Sequence, residues 1–258
     1  NCSKPWSSAG RRYATMREQL ILLPGWGLGS LPLEVLVEAL RGLAPQLQVT
    51  IEALPELESG EPRDWLLELD ERLPPHTWLG GWSLGGMLAS ELARKRGDHC
   101  CGLLTLASNP SFLARPDWPH GMAEDTFGTF LDGCRNHTQV TLKRFRTLCS
   151  DGALQPRTLL RQLGVGVPDT DPLYLATGLE VLAKLDTREA LQAYGGPQLH
   201  LFAGSDALVP AEAAKALSEL LPDVEVGLVE DSSHAFLLEY PQELAAGIKS
   251  FLHESGDD

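Results

Sequence analysis

The sequence predicts an α/β protein with a mostly parallel central sheet, helices on both faces and a helical segment inserted late in the chain. Short apolar runs alternate with helical patterns, which is typical of a parallel sheet with crossover helices. The alternation stops over residues 110–185, where only helical patterns separated by Pro and Gly occur. In addition, a Gly-x-Ser-x-Gly pattern stands where an apolar run passes into a helical one.

The apolar runs expected to form strands are Leu20–Leu23, Leu47–Leu54, Thr77–Gly80, Gly102–Leu106, Gln198–Phe202 and Val224–Val229. The helical patterns between them are Leu31–Leu43, Asp64–Leu73, Leu84–Arg96, Ala211–Leu221 and Pro241–His253. In a parallel sheet of this kind the active site lies beyond the carboxyl ends of the strands.

The inserted segment predicts short helices at Gly121–Gly133, Gln139–Cys149, Pro156–Leu163 and Leu173–Leu185. We therefore expect a core formed by residues 16–109 and 186–258, with residues 110–185 as a helical lid above the carboxyl edge of the sheet. Residues 1–15 are polar and precede Met16. Both a non-native or disordered extension and a genuine N-terminal extension fit them.

Composition narrows the function classes. The chain of 258 residues is 43% hydrophobic, which suffices for a large core, and no run approaches the roughly 20 apolar residues of a membrane span. A net charge of −14 argues against general binding to nucleic acid or to anionic membranes. The five cysteines show no CxxC or disulfide-framework spacing. We expect reduced thiols and a cytoplasmic monomer.

The Gly-x-Ser-x-Gly pattern places Ser83 between Gly81 and Gly85. A serine hydroxyl becomes a useful nucleophile only when a base takes its proton, so it must be held exposed on a sharp strand-to-helix turn. Such a turn crowds the backbone, and the two glycines remove the Cβ atoms that would clash. The alternative is an ordinary glycine-rich β–α turn.

His234 is the best candidate for the base, because it lies in a loop after the last strand pattern and before the last helix. Asp206 follows the strand Gln198–Phe202 and keeps the chain order serine, acid, histidine; Asp231 is the rival acid. The other histidines lie in surface turns, in the inserted segment, within a strand or in the C-terminal tail: His76, His99, His120, His137, His200 and His253.

An oxyanion formed at Ser83 needs two N–H donors. Leu84, the residue after the nucleophile, is expected to give one, and Trp26 in the glycine-rich loop after the first strand the other. That loop fails as a dinucleotide fingerprint, because Ser30 or Pro32 stands where the third glycine belongs. HExxH and paired CxxC patterns are absent from the sequence, so we expect no metal and no cofactor.

The inserted segment carries a local excess of positive charge. From Arg135 to Arg161 there are six basic residues and one acidic residue. Such a run can be a solvated helix face or a docking patch for an acidic partner, and its contrast with the acidic remainder of the chain favours docking slightly.

From about Leu20 to Leu252 the chain resembles the α/β-hydrolases, and within them the BioH-type methyl ester esterases of biotin synthesis. The matching stretches are Leu22–Leu28, Trp78–Gly86, Leu106–Pro110, Ala114–Pro119, Gly178–Leu182, Asp206–Pro210 and Ser233–Ala235. The sequence departs from the family at Pro24, where many relatives have histidine, at residues 54–57, which replace the usual glycine-bearing turn after the second strand, and at Val140, which replaces a lid arginine.

The resemblance implies an α/β-hydrolase fold and hydrolysis of the methyl ester of pimeloyl-[acyl-carrier protein], which releases methanol. It implies that Ser83, Asp206 and His234 form the catalytic triad. It also implies that Trp26 and Leu84 serve the oxyanion hole and line the acyl pocket with Phe145. The lid arginines that would contact the acidic carrier protein are Arg144, Arg157 and Arg161. Two alternatives remain: a promiscuous short-chain carboxylesterase without a carrier partner, and a non-catalytic protein that binds an acyl ligand.

Overall fold

A computed structural model describes residues 18–256 of the protein, so the predicted extension at residues 1–15 lies outside the described residues. Within residues 18–256, six parallel strands form one sheet in the order β2-β1-β3-β4-β5-β6. The strands are β1 Gln19–Leu23, β2 Gln48–Ile51, β3 Thr77–Trp82, β4 Cys100–Leu106, β5 Gln198–Ala203 and β6 Glu225–Val229. The predicted α/β fold with a parallel sheet is confirmed.

The six strands differ from their predicted bounds by one to three residues, and two of these differences are at the carboxyl ends of β2 and β3. β2 ends at Ile51 instead of Leu54, because its partner β1 ends at Leu23 and leaves later residues without a strand to pair with. β3 continues two residues further than predicted, since Gly81 and Trp82 pair with β4. The extension matters for function, because it brings the strand directly up to Ser83.

The helices of the sheet layers are α1 Leu31–Leu43, α2 Pro62–Arg72, α3 Leu84–Arg96, α8 Arg188–Ala193, α9 Glu212–Leu220, α10 Phe236–Glu239 and α11 Pro241–Gly256. The chain moves from β1 outward to β2 and then back across to β3. Right-handed crossovers therefore place α1 and α2 on opposite faces of the sheet. α1 packs with α10 and α11, whereas α3 packs with α2 and α8. The short helices α8 and α10 were not predicted.

The segment between β4 and β5 contains the helices α4 Glu124–Asn136, α5 Thr138–Ser150, α6 Pro156–Gly164 and α7 Pro172–Lys184. α4 begins three residues later than predicted, because Met122 pairs with Leu113 in an isolated bridge and is held out of the helix. The two ends of the segment meet: Thr187 N–H donates to the Pro110 carbonyl (2.8 Å) and Ser111 pairs with Asp186. The four helices thus leave and re-enter the sheet at one place.

Among residues 18–256, no helix has both the length and the apolar character that crossing a membrane requires. Cys134 and Cys149 are buried free thiols within this part of the chain.

Candidate active site

Ser83 occupies a sharp turn between β3 and α3, with φ 53° and ψ −118°. A non-glycine residue in this region costs on the order of 1–3 kcal/mol, so its surroundings must hold it there. Its N–H donates to the Leu106 carbonyl (2.8 Å), and its carbonyl accepts a hydrogen bond from the Ser108 hydroxyl (2.7 Å). Both partners lie at the end of β4, so the neighbouring strand fixes the turn.

The two glycines of the pattern are sterically required. A Cβ at Gly81 would lie 2.3 Å from the carbonyl carbon of Gly85, and a Cβ at Gly85 would lie 2.1 Å from the Leu23 carbonyl oxygen. Both clashes are with backbone, which cannot move aside as a flexible side chain can. The end of β3, the start of α3 and the end of β1 therefore approach more closely than any side chain at these two positions allows.

Asp206 and His234 meet at the carboxyl ends of β5 and β6. His234 Nδ1 lies 2.7 Å from Asp206 Oδ2, and both side chains are at most 1% exposed. The other carboxylate oxygen accepts the N–H groups of Leu208 (2.8 Å) and Val209 (2.9 Å). A carboxylate can only accept, so Nδ1 carries the imidazole proton and Nε2 keeps its lone pair. The rival Asp231 is exposed to solvent.

The Nε2 atom of His234 is the feature of this site with the most direct chemical meaning. Within residues 18–256 it is the one buried side-chain nitrogen or oxygen without a hydrogen-bond partner. A buried acceptor left unpaired costs about 1–3 kcal/mol, and such atoms in a folded protein point to function. A basic nitrogen of fixed orientation is what a general base requires.

His200, the other fully buried histidine, is arranged differently. Its Nδ1 lies 2.6 Å from Thr105 Oγ1, and its Nε2 lies 2.8 Å from Gln198 Oε1. Burial lowers the pKa of this imidazole to about 3, so it is neutral at physiological pH. Because both ring nitrogens have partners inside the sheet, His200 joins β4 to β5 and is not free to take a proton from a substrate.

Three elements hold the loop that carries His234. The Trp82 indole N–H donates to the His234 carbonyl (3.0 Å) from β3. The N–H of Ser233 donates to Glu239 Oε1 (2.8 Å) in α10, and that of Ala235 donates to the Cys149 carbonyl (3.2 Å) at the end of α5. The inserted helices therefore contact the loop next to the imidazole.

The predicted oxyanion residues lie at the start of α3 and in the loop between β1 and α1. Leu84 is the first residue of α3, where N–H groups have no partner within the helix. Trp26 is buried in the loop between β1 and α1, and its indole N–H donates to the Leu175 carbonyl of α7 (2.8 Å). Its ring meets that of Phe145 of α5 edge-on, with ring centres 5.0 Å apart. Trp26 thus connects the core to two inserted helices.

The three predicted docking arginines lie on the surface of the inserted segment. Arg157 and Arg161 are one turn apart on α6, so they share a helix face, and Arg144 lies on α5 with its guanidinium 5.6 Å from the centre of the Phe130 ring. None of the three forms an ion pair with another residue in the described range 18–256. Val140 of α5 is 71% exposed.

Sequence reasoning did not assign roles to Ser108, Trp82 or Glu239, which hold the backbone on either side of Ser83 and His234. Ser108 and Trp82 lie within stretches that match the family, so position was a signal, but a hydrogen bond to a backbone carbonyl leaves no pattern in a sequence. Across residues 18–256, no group of three or more His, Cys, Asp or Glu side chains could hold a metal ion.

Comparison with known proteins places the chain in a family. Residues 20–247 match the model of the alpha/beta hydrolase family. The pimeloyl-[acyl-carrier protein] methyl ester esterase of Aromatoleum aromaticum is 33% identical over 247 residues, which cover 90% of this chain and 97% of that protein. The biotin biosynthesis bifunctional protein BioHC of Cellvibrio japonicus is 37% identical over 91% of this chain. The chain spans about half the length of that bifunctional relative, since the match covers 47% of it.

Solved structures show the same fold. A bromoperoxidase from Bacillus anthracis aligns with a TM-score of 0.79 at 20% identity, and the esterase EaEST from Exiguobacterium antarcticum with a TM-score of 0.78 at 17% identity. In both pairs the alignment covers 92% of each chain. On the family match, the full-length relatives and this shared architecture, the chain belongs to the alpha/beta hydrolase family.

Proposed function

We propose that this protein is a serine carboxylesterase that hydrolyses the methyl ester of pimeloyl-[acyl-carrier protein] and releases methanol in biotin biosynthesis. The observation that carries the proposal is His234, whose Nδ1 is fixed by Asp206 while its buried Nε2 has no partner, next to the turn that holds Ser83. Relatives of matching length named pimeloyl-[acyl-carrier protein] methyl ester esterase support the substrate.

In the first half of the reaction, Ser83 Oγ attacks the ester carbonyl while His234 Nε2 takes the hydroxyl proton. The carbonyl oxygen becomes an oxyanion, which the backbone N–H groups of Leu84 and Trp26 stabilise. His234 then gives the proton to the departing methoxide, so methanol leaves and an acyl ester remains on Ser83. Asp206 keeps the imidazole oriented and stabilises its cation.

The second half returns the enzyme to its starting state. His234 takes a proton from a water molecule, and the resulting hydroxide adds to the acyl carbonyl. Collapse of this intermediate breaks the bond to Ser83 Oγ, which recovers its proton from His234. The products are pimeloyl-[acyl-carrier protein] with a free carboxylate and the regenerated serine.

The inserted segment, residues 110–185, acts in this proposal as a lid that selects the substrate. The acyl chain lies against Trp26 and Phe145, whose rings meet edge-on with their centres 5.0 Å apart. The acidic carrier remains outside, on Arg144, Arg157 and Arg161, whose lack of carboxylate partners within the described residues leaves them available to an anionic surface. A short-chain esterase without a carrier would need none of these three cations.

The esterase activity is tested with dimethyl pimelate and with a fluorophosphonate that labels reactive serines. We expect the wild-type enzyme to hydrolyse the diester and to be labelled. The Ser83→Ala variant should not be labelled, and its kcat should be about 10⁶-fold lower. Ser90→Ala is the matched control. Ser90 is a buried serine of α3, the helix that follows Ser83, and its hydroxyl donates a hydrogen bond to the Gly86 carbonyl. A folded wild-type protein that is neither labelled nor active would support the non-catalytic alternative and contradict the proposal.

The biosynthetic role is tested by complementation of a bacterial strain that needs biotin because it lacks the methyl ester esterase. The proposal predicts growth without biotin on expression of the wild-type chain and no growth with Ser83→Ala at equal protein level. Full diester hydrolysis in vitro without complementation would retain the esterase and contradict the carrier-protein substrate.

A further inference from the structure

Trp82, the last residue of β3, has its ring next to the proposed catalytic imidazole. Its ring centre is 5.5 Å from that of His234, and the two ring planes are inclined by 36°. The rings are therefore tilted, closer to parallel than to perpendicular, and the centre-to-centre distance is within the roughly 6 Å at which an aromatic ring attracts a cation. The side chain is 1% exposed, so water does not separate or screen the two rings.

The indole is held in this position from two sides. Its N–H donates to the backbone carbonyl of His234 (3.0 Å), which fixes the ring relative to the loop that carries the base. On the other side, a Cβ at Gly25 would lie 3.1 Å from Trp82 Cε3 and 3.4 Å from Cζ3, so the ring packs directly on the backbone of the loop after β1. The Trp82 side chain therefore contacts both the loop that carries the base and the loop that carries the expected oxyanion donor. In the sequence, Trp82 directly precedes the proposed nucleophile Ser83.

We infer that Trp82 is a positioning residue that fixes His234 and, through its π face, stabilises the imidazolium formed during ester hydrolysis. This inference rests on the proposed function, because it requires His234 to take a proton. An aromatic face attracts a cation within about 6 Å of its centre, and the attraction grows when both groups are removed from water. Neutral imidazole gains little from the same face, so the stabilisation is specific to the charged state and lowers the barrier.

The other groups around His234 act from different directions. Asp206 bonds Nδ1 in the plane of the ring and supplies the negative charge. Cys149 of α5 lies beside this pair, and burial raises the pKa of its thiol well above the ordinary range, with the Asp206 charge adding to the effect; the thiol is therefore neutral. Glu239 of α10 accepts two hydrogen bonds from Ser233 and so contacts the loop, not the imidazole. The Trp82 indole contacts the imidazole ring itself.

The test is the pH dependence of kcat/KM on dimethyl pimelate for Trp82→Leu and Trp82→Phe. The leucine variant loses both the aromatic face and the N–H donor. We expect its kcat to fall about 3- to 30-fold and the acidic limb of its profile to move to lower pH by about half a unit or more, because the imidazolium gives up its proton more readily. The phenylalanine variant keeps an aromatic face and loses only the donor, so its kcat falls while the limb remains near the wild-type position.

Trp78→Leu is the matched control. Trp78 is a buried tryptophan of the same strand, but its ring packs on Phe251 of α11, with centres 5.6 Å apart. This variant loses similar buried area without touching the imidazole, and the acidic limb stays in place. A purely structural role for Trp82 would lower kcat in both Trp82 variants and leave the limb unmoved, which would overturn the inference.

If Trp82→Leu does not fold, the contrast is measured between phenylalanine and a trifluorinated phenylalanine inserted at position 82. The two side chains have nearly the same shape, and the fluorinated ring attracts cations less, so the inference predicts a shift of the limb to lower pH for the fluorinated variant. Equal profiles would overturn it. Loss of the proposed function itself looks different, because Ser83→Ala would then be as active as the wild-type enzyme.

Discussion

The carboxyl edge of the sheet and the inserted segment satisfy their polar groups in opposite ways. At the edge, Asp206 is at most 1% exposed and all three of its hydrogen bonds are internal, as are those that hold Ser83. On the inserted helices, Arg157 and Arg161 are exposed and have no carboxylate partner among residues 18–256. The edge is built to keep a few atoms fixed, whereas the surface of the insertion offers charge to a partner.

In the proposed function, this contrast separates the reaction from the recognition of the carrier protein. Ester hydrolysis needs a serine, a base and donors held to within fractions of an ångström, and buried backbone contacts supply that precision. Recognition of an acidic carrier needs long-range attraction and tolerates mobile side chains. Substitutions at the edge should therefore change kcat, and substitutions on the insertion should change the affinity for the carrier.

After Ser83→Ala, the largest effect is expected for Asp206→Asn. An amide at this position would offer an N–H to Nδ1 and favour the tautomer whose proton is on Nε2, so we expect kcat on dimethyl pimelate to fall about 10⁴-fold. Asp231→Asn is the control, since Asp231 is the exposed neighbour on the same loop as His234. Steady-state kinetics on both variants decide between the two acids. A larger loss in Asp231→Asn would reassign the acid.

Two glycine-to-alanine substitutions compare the regions directly. Gly85→Ala places a Cβ against the Leu23 carbonyl oxygen, so we expect the nucleophile turn to shift and kcat to fall about 10²-fold or more. Gly128→Ala in α4 meets no atom within 4 Å and should stabilise the protein by about 0.5–1 kcal/mol with activity retained. Thermal unfolding and kcat measured on the same preparations test both. Wild-type activity in Gly85→Ala would show that the close approach is not needed.

Charge reversal on the insertion should act on the carrier substrate alone. For Arg157→Glu combined with Arg161→Glu, we expect KM for methyl-pimeloyl carrier protein to rise about 10- to 100-fold. The effect should shrink at high salt, because the contact is electrostatic and exposed. Arg41→Glu combined with Lys249→Glu reverses the same amount of charge on α1 and α11 and serves as the control. Equal effects of the two double substitutions on KM would show that net charge, and not a specific docking patch, determines the affinity for the carrier.

The smallest expected effect is on stability, and it comes from the buried histidine His200 in the sheet. The folded-state pKa of His200 is lowered by burial from 6.5 to about 3. The unfolded chain therefore binds one more proton than the folded protein between pH 6.5 and 3, and the free energy of unfolding falls by up to about 1.4 kcal/mol per pH unit as the pH decreases through this window. In His200→Gln the slope should be smaller by one proton. Urea unfolding of both proteins at pH 7 and pH 5 measures this pH dependence of the free energy of unfolding. An identical pH dependence in the wild type and in His200→Gln would contradict the lowered pKa of His200.

Much of the fold could be predicted from the sequence, because the alternating apolar runs follow the burial of the strands. α1 and α3 were predicted with the boundaries that the structure shows, while α4 was placed too early because the bridge between Leu113 and Met122 depends on contacts that local periodicity does not reveal. α8 and α10 were missed since helices of six and four residues carry too little periodicity to detect.

In the candidate site, too, some residues could be predicted from the sequence and others could not. Ser83, Asp206 and His234 could be proposed as a triad from the sequence because Ser83 directly follows β3 and the other two lie in the loops after β5 and β6. The carboxyl ends of parallel strands meet at one edge of a sheet. The residues that hold them, such as Ser108 and Glu239, act on backbone groups across the fold, and their partners are known only once the strands are in register. Charge alone indicated a run of six basic residues between Arg135 and Arg161. The resemblance to the family then selected Arg144, Arg157 and Arg161 within that run.

The proposed function is tested most directly by the intact mass of methyl-pimeloyl carrier protein incubated with the wild-type enzyme, with Ser83→Ala and with the Arg157/Arg161 double reversal. We expect rapid loss of the methyl group with the thioester retained for the wild type, no loss for Ser83→Ala, and slow loss for the double reversal. An unchanged carrier in the presence of enzyme that hydrolyses dimethyl pimelate, or cleavage of the thioester instead of the methyl ester, would contradict it.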